Sequence, residues 1–350
     1  MQDVMEVSDS DDEGVNRAPR TLRRRRSWVA ATHLGISPKE FRRLKRSGAP
    51  GLLFFLIHGL RLVHGSIPHD VDIAEMFSGA GHLVAVAMSL GLRGLTYEIL
   101  EDKEHQDMCT ALGFLQALLV MLRCVFQGLV HWDTCCSNWV WISRSKTGRC
   151  RANPMGTGAF ENVQKANFMV SRMCLLQLVA ASKFAIMMLE QPASSLMPLH
   201  RRMVGRPFNE MFRIFIHMGC YGALTAKPTV LYSNEMLVLM PLKKRLNLEQ
   251  QRQMDNSHLV SLEYRDNGKL AVTGKSKCGG LKASQQYTKD YAEAVVGSWR
   301  KWREVHAPTV DEVFAESSDS DYSSTSDPWD DAELQLCAAM FVDVPGMKTF

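Results

Sequence analysis

The sequence predicts an α/β protein in which a mostly parallel sheet carries helices on both faces. Three observations lead to this prediction. From about residue 70 onwards, short apolar runs typical of buried strands alternate with helical segments. Turns that contain glycine separate these predicted strands and helices. The hydrophobic fraction of 46% is that of a packed core, which excludes fibrous and wholly disordered proteins.

Two helices are predicted before the sheet. Ser37-Pro38-Lys39-Glu40 has the form of a capping box with proline at the first helical position, so a helix should run to about Arg46. A Gly-Ala-Pro-Gly break follows at 48–51, and Leu52–Val63 predicts a second, mostly buried helix.

The sheet is then predicted as strands and helices in turn. In chain order these are a strand at 71–77, a helix at 82–90, strands at 95–99 and 129–133 separated by a helix at 105–125, a helix at 160–182, and a strand at 184–189. Beyond Pro207 the predicted elements are a helix at 209–218, short strands between 229 and 240, a hairpin pairing 259–264 with 270–273, and a helix at 289–302.

The charge distribution divides the chain into four parts. The net charge of +4 hides six acids and no base in residues 1–14, a net +10 in 15–50, and a net −9 in 311–350. We therefore predict a disordered acidic and basic head (1–30), N-terminal helices (31–69), a folded domain (70–305) and an acidic low-complexity tail (306–350). The domain itself is basic, which favours a nucleic-acid partner.

Several classes of protein are excluded. No apolar run approaches the length of about 20 residues that spans a membrane, and Met1–Gly14 is too acidic for a secretory signal. The nine cysteines are scattered without a C-x-x-C pair, which favours reduced thiols inside a cell over a disulfide framework or a zinc ribbon. Arg23–Arg26 is typical of a nuclear localisation signal or a phosphate-contacting arm, and a solvated basic tail is the alternative.

The turn after the first predicted strand is the first candidate site. Gly79 and Gly81 allow a sharp turn and close approach of a ligand beside a helix N-terminus. Glu98 ends the next strand, where its carboxylate could accept both hydroxyls of a ribose. A dinucleotide fingerprint would need a third glycine where Val84 stands. A plain strand–helix turn is the alternative.

The pattern acid-x-Phe-x-Gly-x-Gly, followed by a strand-end acid, resembles the S-adenosylmethionine site of class I methyltransferases. With the loop His131–Trp139 and the later strand-Glu-Gln-Pro at 188–192, the order of motifs resembles the cytosine-5 DNA methyltransferases. The resemblance implies a doubly wound, Rossmann-like methyltransferase fold and S-adenosylmethionine as cofactor. Carried over by position, the residues implied at the cofactor are Phe77, Ser78, Gly79, Gly81, Glu98 and Asp107.

The same resemblance implies two catalytic residues. Cys136 matches the nucleophile that adds to cytosine C6, and Glu190 matches the acid that binds N3. The chemistry needs both, because C5 of cytosine is a poor nucleophile until a thiolate has added at C6. The chain departs from the family where Cys135 replaces a proline and where Gly222–Leu231 stands in place of a Gln-x-Arg-x-Arg motif. A buried structural thiol is the alternative role for either cysteine.

These observations predict a nuclear, S-adenosylmethionine-dependent methyltransferase-like protein that acts on DNA or RNA by cytosine-C5 chemistry. Two alternatives stay open: a catalytically inactive binding module with the same fold, and a methyltransferase for another class of substrate. The aromatic and basic loop from Trp139 to Arg151 also has two interpretations. It could stack on bases and contact phosphates, or it could be an ordinary lid packed on the sheet.

Overall fold

The computed structural model describes residues 36, 38–205, 207–254, 260–264, 270–274 and 286–306. The predicted head, Ser37 of the capping box, the hairpin turn at 266–268 and all of the predicted tail except His306 lie outside these residues.

Six strands form one mixed sheet in the order β2-β1-β3-β4-β6-β5. The four strands from β2 to β4 are parallel, whereas β6 runs antiparallel to both β4 and β5. The α/β class is confirmed, but the sheet is mixed. The strands are β1 (Val71–Met76), β2 (Gly94–Tyr97), β3 (Cys124–Trp132), β4 (Ile186–Pro192), β5 (Phe212–His217) and β6 (Pro228–Ser233). The predicted hairpin is present as a separate antiparallel pair, β7 (Val260–Tyr264) and β8 (Leu270–Gly274).

The helices lie on both faces of the six-stranded sheet. Their bounds are α1 (Pro38–Arg46), α2 (Gly51–His64), α3 (His82–Ser89), α4 (Ala111–Arg123), α5 (Arg144–Thr147), α6 (Glu161–Ser182), α7 (Met236–Leu239), α8 (Leu248–Gln253) and α9 (Lys289–Val305). Successive strand side chains point to opposite faces, so Ala74 and Met76 join one buried cluster while Ile73 joins the other. The first cluster includes residues of α1, α2, α4 and α6, and the second includes residues of α3, α7 and α9.

The predicted helix at 209–218 is wrong, because this segment contains a short 3₁₀ turn and then β5. Ile214 and Ile216 are buried two residues apart, with Phe215 between them only half-buried, as in a strand with one face on the core. Pairing with β6 satisfies the backbone of this segment. The segment 229–240, predicted as short strands, is a strand only as far as Ser233, where β6 ends, and the helix α7 follows.

No helix among the described residues has the length and apolar character needed to cross a bilayer. The seven described cysteines all carry free thiols.

Two helical glycines should respond to alanine with opposite signs. A Cβ at Gly113 would lie 2.0 Å from the carbonyl oxygen of Asp107, whereas a Cβ at Gly297 would meet nothing within 4 Å. Gly113→Ala is therefore expected to lower the free energy of unfolding by about 2–3 kcal/mol, since backbone must shift to admit the methyl group. Gly297→Ala is expected to raise it by about 0.5–1 kcal/mol, because glycine is costly inside a helix. Urea unfolding of the full chain measures both, and a loss at both positions would contradict the prediction.

Candidate cofactor and catalytic sites at the carboxyl edge of the sheet

The turn that follows β1, here called the β1 turn (residues 77–81), has three residues with positive φ. These are Phe77 (61°), Gly79 (56°) and Gly81 (66°). A Cβ at Gly79 would meet nothing within 4 Å, so there is open space beside this backbone. The structure thus confirms the predicted tight turn, in which Gly79 is exposed to solvent.

A buried carboxylate occupies the N-terminus of α3, directly below the β1 turn. Glu75 accepts a hydrogen bond from the backbone N–H of Val84 at 2.8 Å and another from the hydroxyl of Tyr287. Burial raises the pKa of Glu75 to about 7. An anion at this helix N-terminus would meet Glu75, so the position is unsuited to the diphosphate of a dinucleotide.

Glu98 lies next to the β1 turn, as the spacing predicts. It follows β2 directly, and its two carboxylate oxygens accept the backbone N–H groups of Gly79 at 3.0 Å and Leu100 at 3.2 Å. A carboxylate offers about four lone-pair positions, so roughly two stay available for a ligand's hydroxyl groups. Glu98 therefore ties the ends of β1 and β2 together and keeps acceptor capacity.

The other residues predicted for the cofactor lie in the β1 turn and just before α4. The Ser78 hydroxyl is buried and has no hydrogen-bond partner among the described residues. Phe77 packs edge-on against Tyr97, with ring centroids 6.3 Å apart. Asp107 caps the turn before α4 by accepting the N–H of Cys109 at 2.8 Å, and its neighbour Gln106 accepts the N–H of Glu98 at 2.5 Å. Asp107 is thus linked to the Glu98 backbone through one residue.

The loop after β3 holds the two adjacent cysteines in different environments. Cys135 is exposed, with its Sγ 3.2 Å from the hydroxyl of Ser137. Cys136 is half-buried, and burial together with the charge of Glu190 raises the pKa of its thiol to about 12. The two neighbouring thiols thus differ in their exposure to solvent.

A hydrogen bond connects the same loop to the end of β4. Gln191, which is fully buried, donates from Nε2 to the carbonyl oxygen of Thr134 at 2.8 Å and accepts from the Ser195 hydroxyl at 2.9 Å. This bond bridges the backbone just before Cys135 and the residue just after Glu190. The structure therefore brings together the two catalytic residues that the sequence predicts.

Glu190 contacts two side chains just before and at the beginning of β6, the strand that pairs with β4. Lys227 Nζ lies 3.4 Å from Glu190 Oε1, and the Thr229 hydroxyl donates to the same oxygen at 3.4 Å. Thr229 is at the start of β6, which pairs antiparallel with β4 and aligns Leu231 with Glu190. No pattern in the sequence predicts this pairing, although Lys227 falls within the segment that replaces the Gln-x-Arg-x-Arg motif.

His131 belongs to a buried hydrogen-bonded group. Its Nδ1 lies 3.1 Å from an oxygen of Asp133, and its Nε2 lies 3.0 Å from the hydroxyl of Tyr291. Although burial opposes protonation, the Asp133 charge raises the pKa of His131. Both ring nitrogens of His131 thus lie within hydrogen-bond distance of neighbouring side chains. No cluster of three potential metal ligands occurs within the described part of the chain.

The aromatic and basic loop is largely packed inward. Trp139 is fully buried, and the guanidinium of Arg149 lies over its ring, 3.5 Å from the centroid. Arg149 is itself buried and donates to Asn167 Oδ1 at 2.9 Å. These two residues fit the lid interpretation, whereas Trp141 keeps 60% of its surface exposed.

Comparison with known proteins adds no family to this geometry. No protein-family model matches the chain, and no curated protein matches it.

Proposed function

We propose that this protein is an S-adenosylmethionine-dependent methyltransferase that acts on nucleic acid by cytosine-C5 chemistry. One observation carries the proposal. Strands β1 to β4 are parallel, so their carboxyl ends share one edge, and that edge holds both the Glu98–Gly79 contact and the Cys136–Glu190 pair. Ligands of open α/β sheets bind at this edge.

The order of the strands supports a Rossmann-like methyltransferase fold. Helices flank both faces of the sheet, and one reversed strand, β6, lies between β4 and β5. Many doubly wound folds carry an antiparallel strand near the edge of an otherwise parallel sheet. The mixed sheet is thus compatible with the resemblance in the motifs.

The residues around the β1 turn fit the proposed cofactor. Open space beside Gly79, the unpaired hydroxyl of Ser78 and the spare lone pairs of Glu98 suit a small ligand with a ribose. Glu75 occupies the N-terminus of α3, so this helix end is not available to a diphosphate. When bound, S-adenosylmethionine supplies an electrophilic methyl group.

The chain's own residues would activate the base. Cys136 is a neutral thiol at pH 7, so it must lose its proton to solvent before its sulfur can bond to C6. The charge of Glu190 opposes this ionisation. If one proton is taken up from solvent when cytosine binds and is shared between Glu190 and N3 of the base, that opposition is removed. The same hydrogen bond would draw electrons from the ring, so base binding and thiolate formation would assist each other.

An inactive binding module is the second candidate. The observation that favours it is the pKa of about 12 at Cys136, which leaves very little thiolate in the protein alone. Both candidates keep the cofactor site, and the trapping experiment described in the Discussion separates them.

The cofactor site is tested by calorimetry with two matched variants. Glu98→Gln removes the charge but keeps the shape, and is expected to weaken S-adenosylmethionine binding by about 10–100-fold, the worth of charge-assisted hydrogen bonds. Glu101→Gln, three residues away, changes an exposed acid whose side chain accepts a hydrogen bond from the Thr96 hydroxyl, and should leave the Kd unchanged. No binding by the unmodified protein, or equal losses in both variants, would refute the cofactor assignment.

A further inference from the structure

An apolar groove lies between α9 and the segment 237–242, away from the carboxyl edge of the sheet. Its volume is about 570 Å³. Leu237 at one wall is 58% exposed, and Val305 at the other is 79% exposed. Gly297 also lines the groove, and a side chain there would meet nothing within 4 Å of its Cβ. The groove thus has two large, exposed apolar side chains on its walls and unfilled space above Gly297.

The groove is lined by one base, Lys301, one acid, Glu293, and the imidazole of His306, and further basic residues adjoin it. Leu242, another lining residue, is followed by Lys243, Lys244 and Arg245, all exposed. An apolar segment flanked by acids would complement this surface.

The chain itself contains such a segment. His306 lines the groove and is the last described residue, so the 44 residues that follow begin at its rim. They carry ten acids and one base. Within them, Leu334–Val342 (LQLCAAMFV) is a run without charge, flanked by Asp330, Asp331 and Glu333 before it and Asp343 after it. The 27 intervening residues span roughly 30 Å as a flexible linker, so the segment can return to the groove.

We propose that Leu334–Val342 binds in this groove of its own chain. Its apolar side chains would cover Leu237, Trp302 and Val305, and its flanking acids would face Lys301 and the exposed Lys243. Burial of the apolar surface of the groove and of the segment would stabilise the complex. The linker gives the segment a millimolar effective concentration. The proposal is independent of the enzymatic function.

Hydrogen exchange of the full-length protein, read by mass spectrometry, tests the docking. The amides of 334–342 are expected to exchange about tenfold or more slowly than in an unstructured peptide of the same sequence. Gly297→Phe fills the groove and should abolish this protection, whereas Gly297→Ala, the matched control, should retain it. Protection of α6 confirms that each variant is folded.

A second variant changes the segment 334–342 and leaves the groove intact. Phe341→Asp places a charge in the apolar segment, outside the described fold, and should abolish protection of 334–342 and speed exchange at 300–306. Three results would overturn the proposal: no protection in the unmodified protein, protection that survives both Gly297→Phe and Phe341→Asp, or protection that rises with protein concentration. The last result would assign the groove to a second copy of the chain.

Discussion

Replacing Cys136 by serine is expected to abolish covalent capture of a cytosine analogue, and the same change at Cys135 is expected to leave capture intact. A serine hydroxyl is a far weaker nucleophile than a thiolate, so we expect a loss of about 10³-fold or more. The two cysteines are adjacent in one loop and form a matched pair. Burial and the charge of Glu190 raise the pKa of the Cys136 thiol, while Cys135 is exposed beside Ser137.

The measurement uses the full chain, S-adenosylmethionine and oligonucleotides that carry 5-fluorocytosine. Fluorine at C5 cannot leave as the normal proton does, so the sulfur–C6 bond stays in place and the complex survives a denaturing gel. Duplex DNA, single-stranded DNA and RNA are tested in parallel. Equal capture by both variants would refute the assignment of Cys136. Binding of S-adenosylmethionine without any capture would favour the inactive binding module.

Sequence patterns predicted those parts of the fold that are determined locally. The strand at 71–76, the turn with Gly79 and Gly81, and the helix that follows lie within 20 residues, and the structure reproduces them. The long helix α6 is also where the amphipathic pattern places it. In these segments the burial pattern and the turn residues indicate the same structure.

The predicted helix at 209–218 failed because its pattern fits two structures. Met211, Ile214, Phe215 and Met218 have helical spacing, yet Ile214 and Ile216 also satisfy the period of a strand. Pairing with β6 decides between them, and this contact is made with residues 228–233. Tertiary pairing outweighs local propensity here.

The same limit applies to the candidate site. Cys136, Glu190 and Glu98 follow predicted strands and could be found from order alone. Lys227 and Thr229 reach Glu190 only through the antiparallel pairing of β6 with β4. Tyr287 reaches Glu75 across 212 residues of sequence. Long-range partners of this kind leave no periodic signal in a single sequence.

The second large effect is expected from Glu75→Gln, as a gain in stability that grows with pH. Burial raises the pKa of Glu75 from an ordinary value of 4.5 to about 7, so the folded protein holds a proton that the unfolded chain has lost. Stability of the unmodified protein should therefore fall as pH rises from about 4.5 to 7. The shift corresponds to about 3 kcal/mol, and glutamine at this position removes the loss.

Urea unfolding at pH 5 and pH 8 measures the effect, with Glu101→Gln as the control for loss of one exposed acid. Relative to the unmodified protein, Glu75→Gln should gain about 2–3 kcal/mol between the two pH values, and Glu101→Gln should gain little. His131 and Asp133 also have raised pKa values, but both are present in every variant, so their direct contribution cancels in the comparison. A difference that does not change with pH would mean that Glu75 is ionised in the folded protein, stabilised by the hydroxyl of Tyr287 and the N–H of Val84. In that case the carboxylate would place a permanent negative charge below the β1 turn and favour a cationic ligand there.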